Sequence, residues 1–109
     1  TFCPLEELAD EQLSRFVREA ERPGIFCSND AIAVRVWHRL TRLGLHAPDD
    51  AVLAGFDGDA YALTLGLTTL VIDWQSLAQR AYDALLALIR GDGSAPRPQP
   101  VAVLVSARR

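Results

Sequence analysis

The sequence has no lysine, so all eleven of its basic residues are arginine. This absence excludes chemistry that depends on a lysine amine, such as a Schiff base, a P-loop or a lysine contact to a phosphoryl group. No apolar run approaches the roughly 20 residues that a membrane-spanning helix needs, and no signal peptide opens the chain, so we predict no membrane partner. Because the sequence opens on "TFCPLEEL" without an initial methionine, we expect a fragment or a processed chain.

Potential metal ligands and disulfide partners are scarce as well. The two cysteines, Cys3 and Cys27, each end an apolar stretch, which is typical of buried reduced thiols rather than of a disulfide. Together with His38 and His46 they are too scattered for a zinc site, and we predict neither a metal nor a cofactor. The net charge of −3 makes the chain by itself a poor binder of duplex DNA.

What the sequence has instead is a regular alternation of strand-like and helix-like segments, over a length that suits one small domain. The predicted strands cover residues 1–3, 24–28, 51–56, 67–73 and 101–107, and the predicted helices or turns cover 8–22, 31–44, 58–66 and 74–91. Strands that alternate with helices imply an α/β fold, with an open parallel sheet and helices on both faces.

A buried strand that ends in two carboxylates is the first candidate for a functional site. The stretch "AVLAGFDGDAYAL" (51–63) puts Asp57 and Asp59 directly after an apolar run. Ligands of open α/β sheets bind beyond the carboxyl ends of the strands. Asp57 could therefore be the nucleophile of a haloacid-dehalogenase-type phosphatase, with Asp59 as acid and base, or the acceptor of a phosphoreceiver domain.

Both of these phosphoryl-transfer functions need residues that the sequence does not provide. The phosphatase pattern wants threonine or valine where Tyr61 stands, and the receiver pattern wants two acidic residues where "CSND" (27–30) supplies one. Both also require a lysine. We therefore expect neither phosphoryl-transfer function and assign no catalytic residue.

Several segments, in matching order and spacing, carry a resemblance to a known family. They are "FCSND" at the start of a helix, "RLGLHAPDDAVLAGFDG", "LTTL", "SLAQRAYDALLALIRG" and the final "VAVLVSARR". Over about residues 24–109 the sequence resembles the effector-binding domain of lac-repressor/galactose-repressor-family regulators. The resemblance implies a periplasmic-binding-protein-like fold, a Rossmann-like three-layer sandwich, of which this chain would be an incomplete fragment.

The same resemblance implies a function in regulation. The family consists of bacterial cytoplasmic transcription regulators that bind a small effector, here expected to be a sugar or a related polyol or nucleoside. The resemblance likewise implies a protein that is not an enzyme. Its members act as homodimers on operator DNA through an N-terminal helix-turn-helix domain, for which this sequence has no segment. The alternative is a periplasmic-type sugar-binding protein that serves a transporter.

The resemblance also suggests how the chain divides. Residues 1–73 would form part of the C-terminal lobe of the effector-binding domain. Residues 74–100 would be a crossover helix and loop that belong to the other lobe, and residues 101–109 a strand that returns. The family usually has a polar pair at the crossing, where this sequence has Ile72 and Asp73.

Two residues match family positions that commonly face the ligand. Asn29 and Asp57 each follow a predicted strand, and their side chains could hydrogen-bond sugar hydroxyls. The alternatives are that Asn29 only caps a helix and that Asp57 only stabilises a turn. We expect both Asp30 and Asp59 to be cap and solvated turn residues.

The helix predicted at 31–44 has more apolar residues than one buried face requires. A core stripe can be made by Ala33, Val36, Leu40 and Leu43. The remaining apolar and aromatic residues, with two from the next short helix, match the family's dimer contact: Val34, Trp37, His38, Tyr61 and Leu65. The alternative for Trp37 is that it covers its own sheet.

Overall fold

The computed structural model describes residues 3–91, 100 and 102–107. They divide into two compact units, one within Thr1–Val71 and Val105–Arg109 and the other within Ile72–Leu104. In the part of the chain that is described, no helix is long and apolar enough to cross a bilayer.

Helices and strands alternate as the sequence predicts. Their bounds are α1 Asp10–Glu19, β1 Gly24–Phe26, α2 Asp30–Arg42, β2 Val52–Asp57, α3 Ala60–Thr64, β3 Thr68–Ile72, α4 Trp74–Arg90 and β4 Val103–Ser106. The four strands form one sheet in the order β1-β2-β3-β4, and β1, β2 and β3 pair in parallel. The α/β fold is thus confirmed. Of the strand predicted at 1–3, Cys3 lies outside any strand and residues 1–2 lie outside the described residues.

Helix α2 supplies much of the core because its apolar stripe packs on β2. Ala33, Val36 and Leu40 are buried, as the helical spacing predicts, while Leu43 at the end of the helix is half-buried. Burial of a side chain such as leucine stabilises the fold by about 1.5–3 kcal/mol. On α1, Leu13 and Val17 are buried, whereas Phe16, which lies beside Val17 in the sequence, is 49% exposed.

Helix α4, in the second unit, is well defined at both ends. Asp73 caps its N-terminus by accepting a hydrogen bond from the amide of Ser76 at 3.0 Å, and Gly91 ends it with a left-handed φ of 69°. The helix has no buried residue. Its exposed large apolar side chains are Trp74, Tyr82, Leu85, Leu88 and Ile89.

Candidate functional site

The turn from β1 to α2 places Asn29 at the N-cap of the helix. Its Oδ1 accepts a hydrogen bond from the amide of Ile32 at 2.9 Å, so the capping role considered for this residue is present. The side chain is half-buried. Capping uses the oxygen of the carboxamide, whose NH2 group is a separate hydrogen-bond donor.

Asp57 is the last residue of β2, where it pairs with Val71 of β3. It is half-buried, and its φ of 115° lies in a region that residues other than glycine rarely adopt. Such a conformation costs on the order of 1–3 kcal/mol and persists only where the surroundings enforce it. Strain at the carboxyl end of a parallel strand marks Asp57 as the candidate functional residue of this edge.

Gly58 continues the unusual turn. Its φ is 77°, and a Cβ built at this position would lie 2.7 Å from Cγ1 of Val71. Only glycine fits this close approach of the turn to β3. Asp59 then caps α3, because its Oδ1 accepts hydrogen bonds from the amides of Tyr61 at 2.8 Å and Ala62 at 3.3 Å. Asp59 is also exposed, so the expectation of a solvated cap residue is confirmed for it.

Asp30 differs from the expectation. It is the first residue of α2, but only 1% of it is exposed, so it is not solvated. Its Oδ1 accepts a hydrogen bond from Oγ1 of Thr69 at 2.6 Å, and its Oδ2 accepts one from the amide of Asp59 at 2.7 Å. A buried carboxylate is stable only with such partners. Asp30 therefore ties the β1–α2 turn to the β2–α3 turn and to β3.

The space for this carboxylate comes from Gly55 in the middle of β2. A Cβ at position 55 would lie 2.1 Å from Oδ1 of Asp30. Thr69 is equally buried, and its Oγ1 also lies 3.4 Å from the amide nitrogen of Gly58, which donates to it. We call Asp30, Thr69 and the Asp59 amide the Asp30 cluster. A strand glycine and a strand threonine were its only signals in the sequence.

The residues predicted to form a dimer contact include three aromatic rings that meet on the surface of α2 and α3. The ring of His38 packs edge-on against Trp37, with centroids 5.0 Å apart, and is stacked with Tyr61 at 6.4 Å. His38 and Tyr61 are exposed. Trp37 is half-buried and packs against the core, as do Val34 and Leu65. Trp37 thus covers the core of its own domain and is also partly exposed beside His38.

Cys27 directly follows β1 and is buried, as expected, whereas Cys3 is exposed, contrary to expectation. Both are free thiols. Burial disfavours the charged thiolate and raises the pKa of Cys27 from 9.0 to about 11. In residues 3–91, 100 and 102–107, no three His, Cys, Asp or Glu side chains are grouped as a metal site requires.

We expect alkylating reagents to distinguish the two thiols. At about pH 8 the raised pKa lowers the thiolate fraction of Cys27 roughly a hundredfold relative to an ordinary thiol. Iodoacetamide should therefore modify Cys3 and spare Cys27 in the folded protein, as read by mass spectrometry of the peptides. A Cys3→Ser variant should take up no label until it is denatured. Equal labelling of both residues in the folded protein would contradict the burial of Cys27.

Comparison with known proteins identifies the family. Residues 4–109 match the periplasmic binding protein-like domain. A curated relative, the HTH-type transcriptional regulator GntR of Escherichia coli (strain K12), is 33% identical over 88 residues, which are 74% of this chain and 27% of that protein. The chain thus spans about a quarter of this relative's length.

Solved structures give the same result. A LacI family transcriptional regulator from Arthrobacter sp. FB24 in complex with lactose has a TM-score of 0.70 and 27% identity, over 92% of this chain and 40% of that chain. A LacI family transcriptional regulator from Lactobacillus casei with bound sucrose has a TM-score of 0.72 and 25% identity, over 92% of this chain and 37% of that chain. The dimeric lac repressor with an 11-residue C-terminal deletion has a TM-score of 0.65 and 25% identity, over 89% of this chain and 38% of that chain.

These relatives are regulators rather than transport proteins or enzymes. The matched segment includes both strand-end turns, with Asn29 and Asp57, and the alternating α/β elements that carry them. The chain belongs to the periplasmic binding protein-like domain family, in the form that serves as the effector-binding domain of LacI-family transcription regulators.

Proposed function

We propose that this chain is the part of a transcription regulator that binds a sugar-like effector, and that effector binding changes the affinity of the whole protein for operator DNA. The observation that carries the proposal is Asp57, a strained, half-buried carboxylate at the carboxyl end of β2. Two related regulators with lactose and sucrose bound support the ligand class. A DNA-binding regulator of this kind would act in the cytoplasm without a cofactor.

The chemistry of the two turns suits a polyhydroxylated ligand. A carboxylate has two acceptor oxygens and can receive hydrogen bonds from two adjacent sugar hydroxyls. The Asn29 carboxamide adds a donor that can serve a hydroxyl oxygen while its own oxygen caps α2. Asp57 ends β2 and Asn29 lies just after β1, so both are at the carboxyl ends of parallel strands, where ligands of α/β sheets bind.

The proposal extends to assembly. We place a homodimer contact at Val34, Trp37, His38, Tyr61 and Leu65, since three of these side chains form an aromatic surface cluster and a related lac repressor structure is dimeric. Operator contact would come from a helix-turn-helix domain beyond this chain. Residues 74–100 would belong to the second lobe of the effector domain, which would cover the exposed apolar face of α4.

The ligand class can be tested on the complete natural protein that contains this chain. Thermal unfolding would be followed with lactose, sucrose, glucose, galactose, ribose, mannitol and adenosine, each at millimolar concentration. A ligand that binds only the folded state raises the melting temperature, by mass action. A rise with at least one of these compounds supports the proposal, and no rise with any of them would overturn the proposed ligand class.

The role of Asp57 predicts a loss of affinity. Asp57→Ala and Asp57→Asn should each weaken binding of the stabilising compound by about 10- to 150-fold, because a charged hydrogen-bond partner contributes roughly 1.5–3 kcal/mol. Asparagine keeps nearly the shape of aspartate and adopts a positive φ more readily than alanine does, so this variant separates the loss of charge from a loss of folding. Calorimetric titration measures the affinity, and operator affinity without the compound should be unchanged.

Asp49→Ala is the matched control, since it removes an exposed turn carboxylate elsewhere on the surface. It should leave the affinity within about twofold of the unsubstituted protein. An affinity that is unchanged in both Asp57 variants would show that Asp57 does not bind the ligand.

A further inference from the structure

The turn that contains Asp57 is held from both sides. On the strand side, Asp57 itself is paired with Val71 in the parallel ladder of β2 and β3. On the other side, the amides of the next two residues donate hydrogen bonds: that of Gly58 to Oγ1 of Thr69, and that of Asp59 to Oδ2 of Asp30. The strained φ of Asp57 is therefore enforced by contacts of its neighbours.

The Asp30 carboxylate is the centre of these contacts. Both of its oxygens accept hydrogen bonds, and Thr69 Oγ1 donates to one of them while it accepts from Gly58. Neither Asp30 nor Thr69 is more than 1% exposed, so neither can reach a ligand in solvent. A buried network that is fully satisfied makes its surroundings rigid.

We propose that Asp30 is a positioning residue for effector binding: together with Thr69 it fixes the turn after β2, and thereby holds the Asp57 carboxylate in the geometry that binds the ligand. This inference rests on the function proposed for Asp57. Asp30 also follows Asn29 directly, so one buried carboxylate sets the spacing of both strand-end turns. Rigid placement of a binding group spares the ordering cost on association.

Thr69 is the better position for a test, because loss of Asp30 itself could prevent folding. Thr69→Val removes the hydroxyl with little change of shape, whereas Thr69→Ser keeps it. Val17→Ala on α1 is the control for general destabilisation, since Val17 is a buried core residue with no part in the Asp30 cluster. All variants would be made in the complete natural protein.

Hydrogen exchange tests the turn without any ligand. We expect Thr69→Val to speed exchange in the peptide that carries the Gly58 and Asp59 amides, and Thr69→Ser to restore the slower rate. Val17→Ala should leave this peptide unchanged under native conditions. Unchanged exchange in Thr69→Val would overturn the claim that the Asp30 cluster fixes the turn.

A double-mutant cycle tests the link to binding, with the compound that most stabilises the protein in the panel above. Thr69→Val should weaken its binding about 3- to 10-fold, and Thr69→Ser and Val17→Ala by less than about twofold. In the Asp57→Ala background, Thr69→Val should cost less than about twofold, because the group it positions is gone.

The outcomes separate this inference from the proposed function. Suppose that Asp57→Ala weakens binding. The positioning role is then wrong if Thr69→Val has its full effect also in the Asp57→Ala background, or if Thr69→Val alone weakens binding no more than Val17→Ala. In either case the ligand role of Asp57 stands. If Asp57→Ala itself leaves affinity unchanged, the ligand role is wrong, and the positioning role for binding falls with it. The exchange rates then report on the turn alone.

Discussion

Replacement of Gly55 by alanine is expected to lower the free energy of unfolding by about 2–5 kcal/mol. The added Cβ would lie 2.1 Å from Oδ1 of Asp30 and 3.2 Å from Cβ of Ala33. The carboxylate is held by hydrogen bonds from Thr69 and Asp59, so it cannot swing aside without leaving buried polar groups unpaired. The loss is large relative to the 5–15 kcal/mol that stabilises a typical domain.

Gly24→Ala is the matched control for this change. Gly24 is also a strand glycine, but a Cβ at its position would have nothing within 4 Å. That substitution should leave stability equal or slightly higher, since alanine restricts the unfolded chain more than glycine does. Urea unfolding followed by circular dichroism measures both. Equal midpoints for the two variants would contradict the crowding at Gly55.

Trp37→Glu is expected to dissociate the proposed dimer. A charge placed in a contact that excludes water is costly, and loss of a tryptophan anchor typically removes about 2–4 kcal/mol of binding energy. The dimer dissociation constant should therefore rise roughly 30- to 700-fold. Sedimentation equilibrium of the complete protein measures it, and operator affinity should fall in parallel if two DNA-binding domains act together.

Arg35→Gln provides the control on the same helix. It makes the same change in net charge, and its exposed side chain lies about 200° around the helix axis from Trp37. The dissociation constant of this variant should stay near that of the unsubstituted protein. A Trp37→Glu protein that remains as tightly dimeric would place the contact elsewhere.

The sequence predicted the fold well because alternation of strands and helices is a local signal. The stripe of Ala33, Val36 and Leu40 follows from helical spacing alone, and all three are buried. On α1, helical spacing groups Phe16 with Leu13 and Val17, yet Phe16 is half-exposed while the other two are buried. Periodicity predicts which face of a helix is apolar, but how far the neighbouring elements cover that face depends on the whole fold.

Asp30 shows why the site was harder to predict than the fold. Its partner Thr69 is 39 residues away in the sequence, and the space it occupies is left by Gly55 on another strand. A carboxylate at the start of a helix is typical of a solvated residue. Its burial follows only from the three-dimensional meeting of α2, β2 and β3, which no local pattern records.

The crowding around Gly55 sets a rule for how this sequence can evolve. A larger residue at position 55 is compatible only with a shorter one at position 30, and loss of Asp30 leaves the hydroxyl of Thr69 and the amide of Asp59 without their acceptor. Drift at any one of positions 30, 55 and 69 is therefore penalised until another of them changes. Residues 30, 55 and 69, although far apart in the sequence, are therefore expected to change together in evolution.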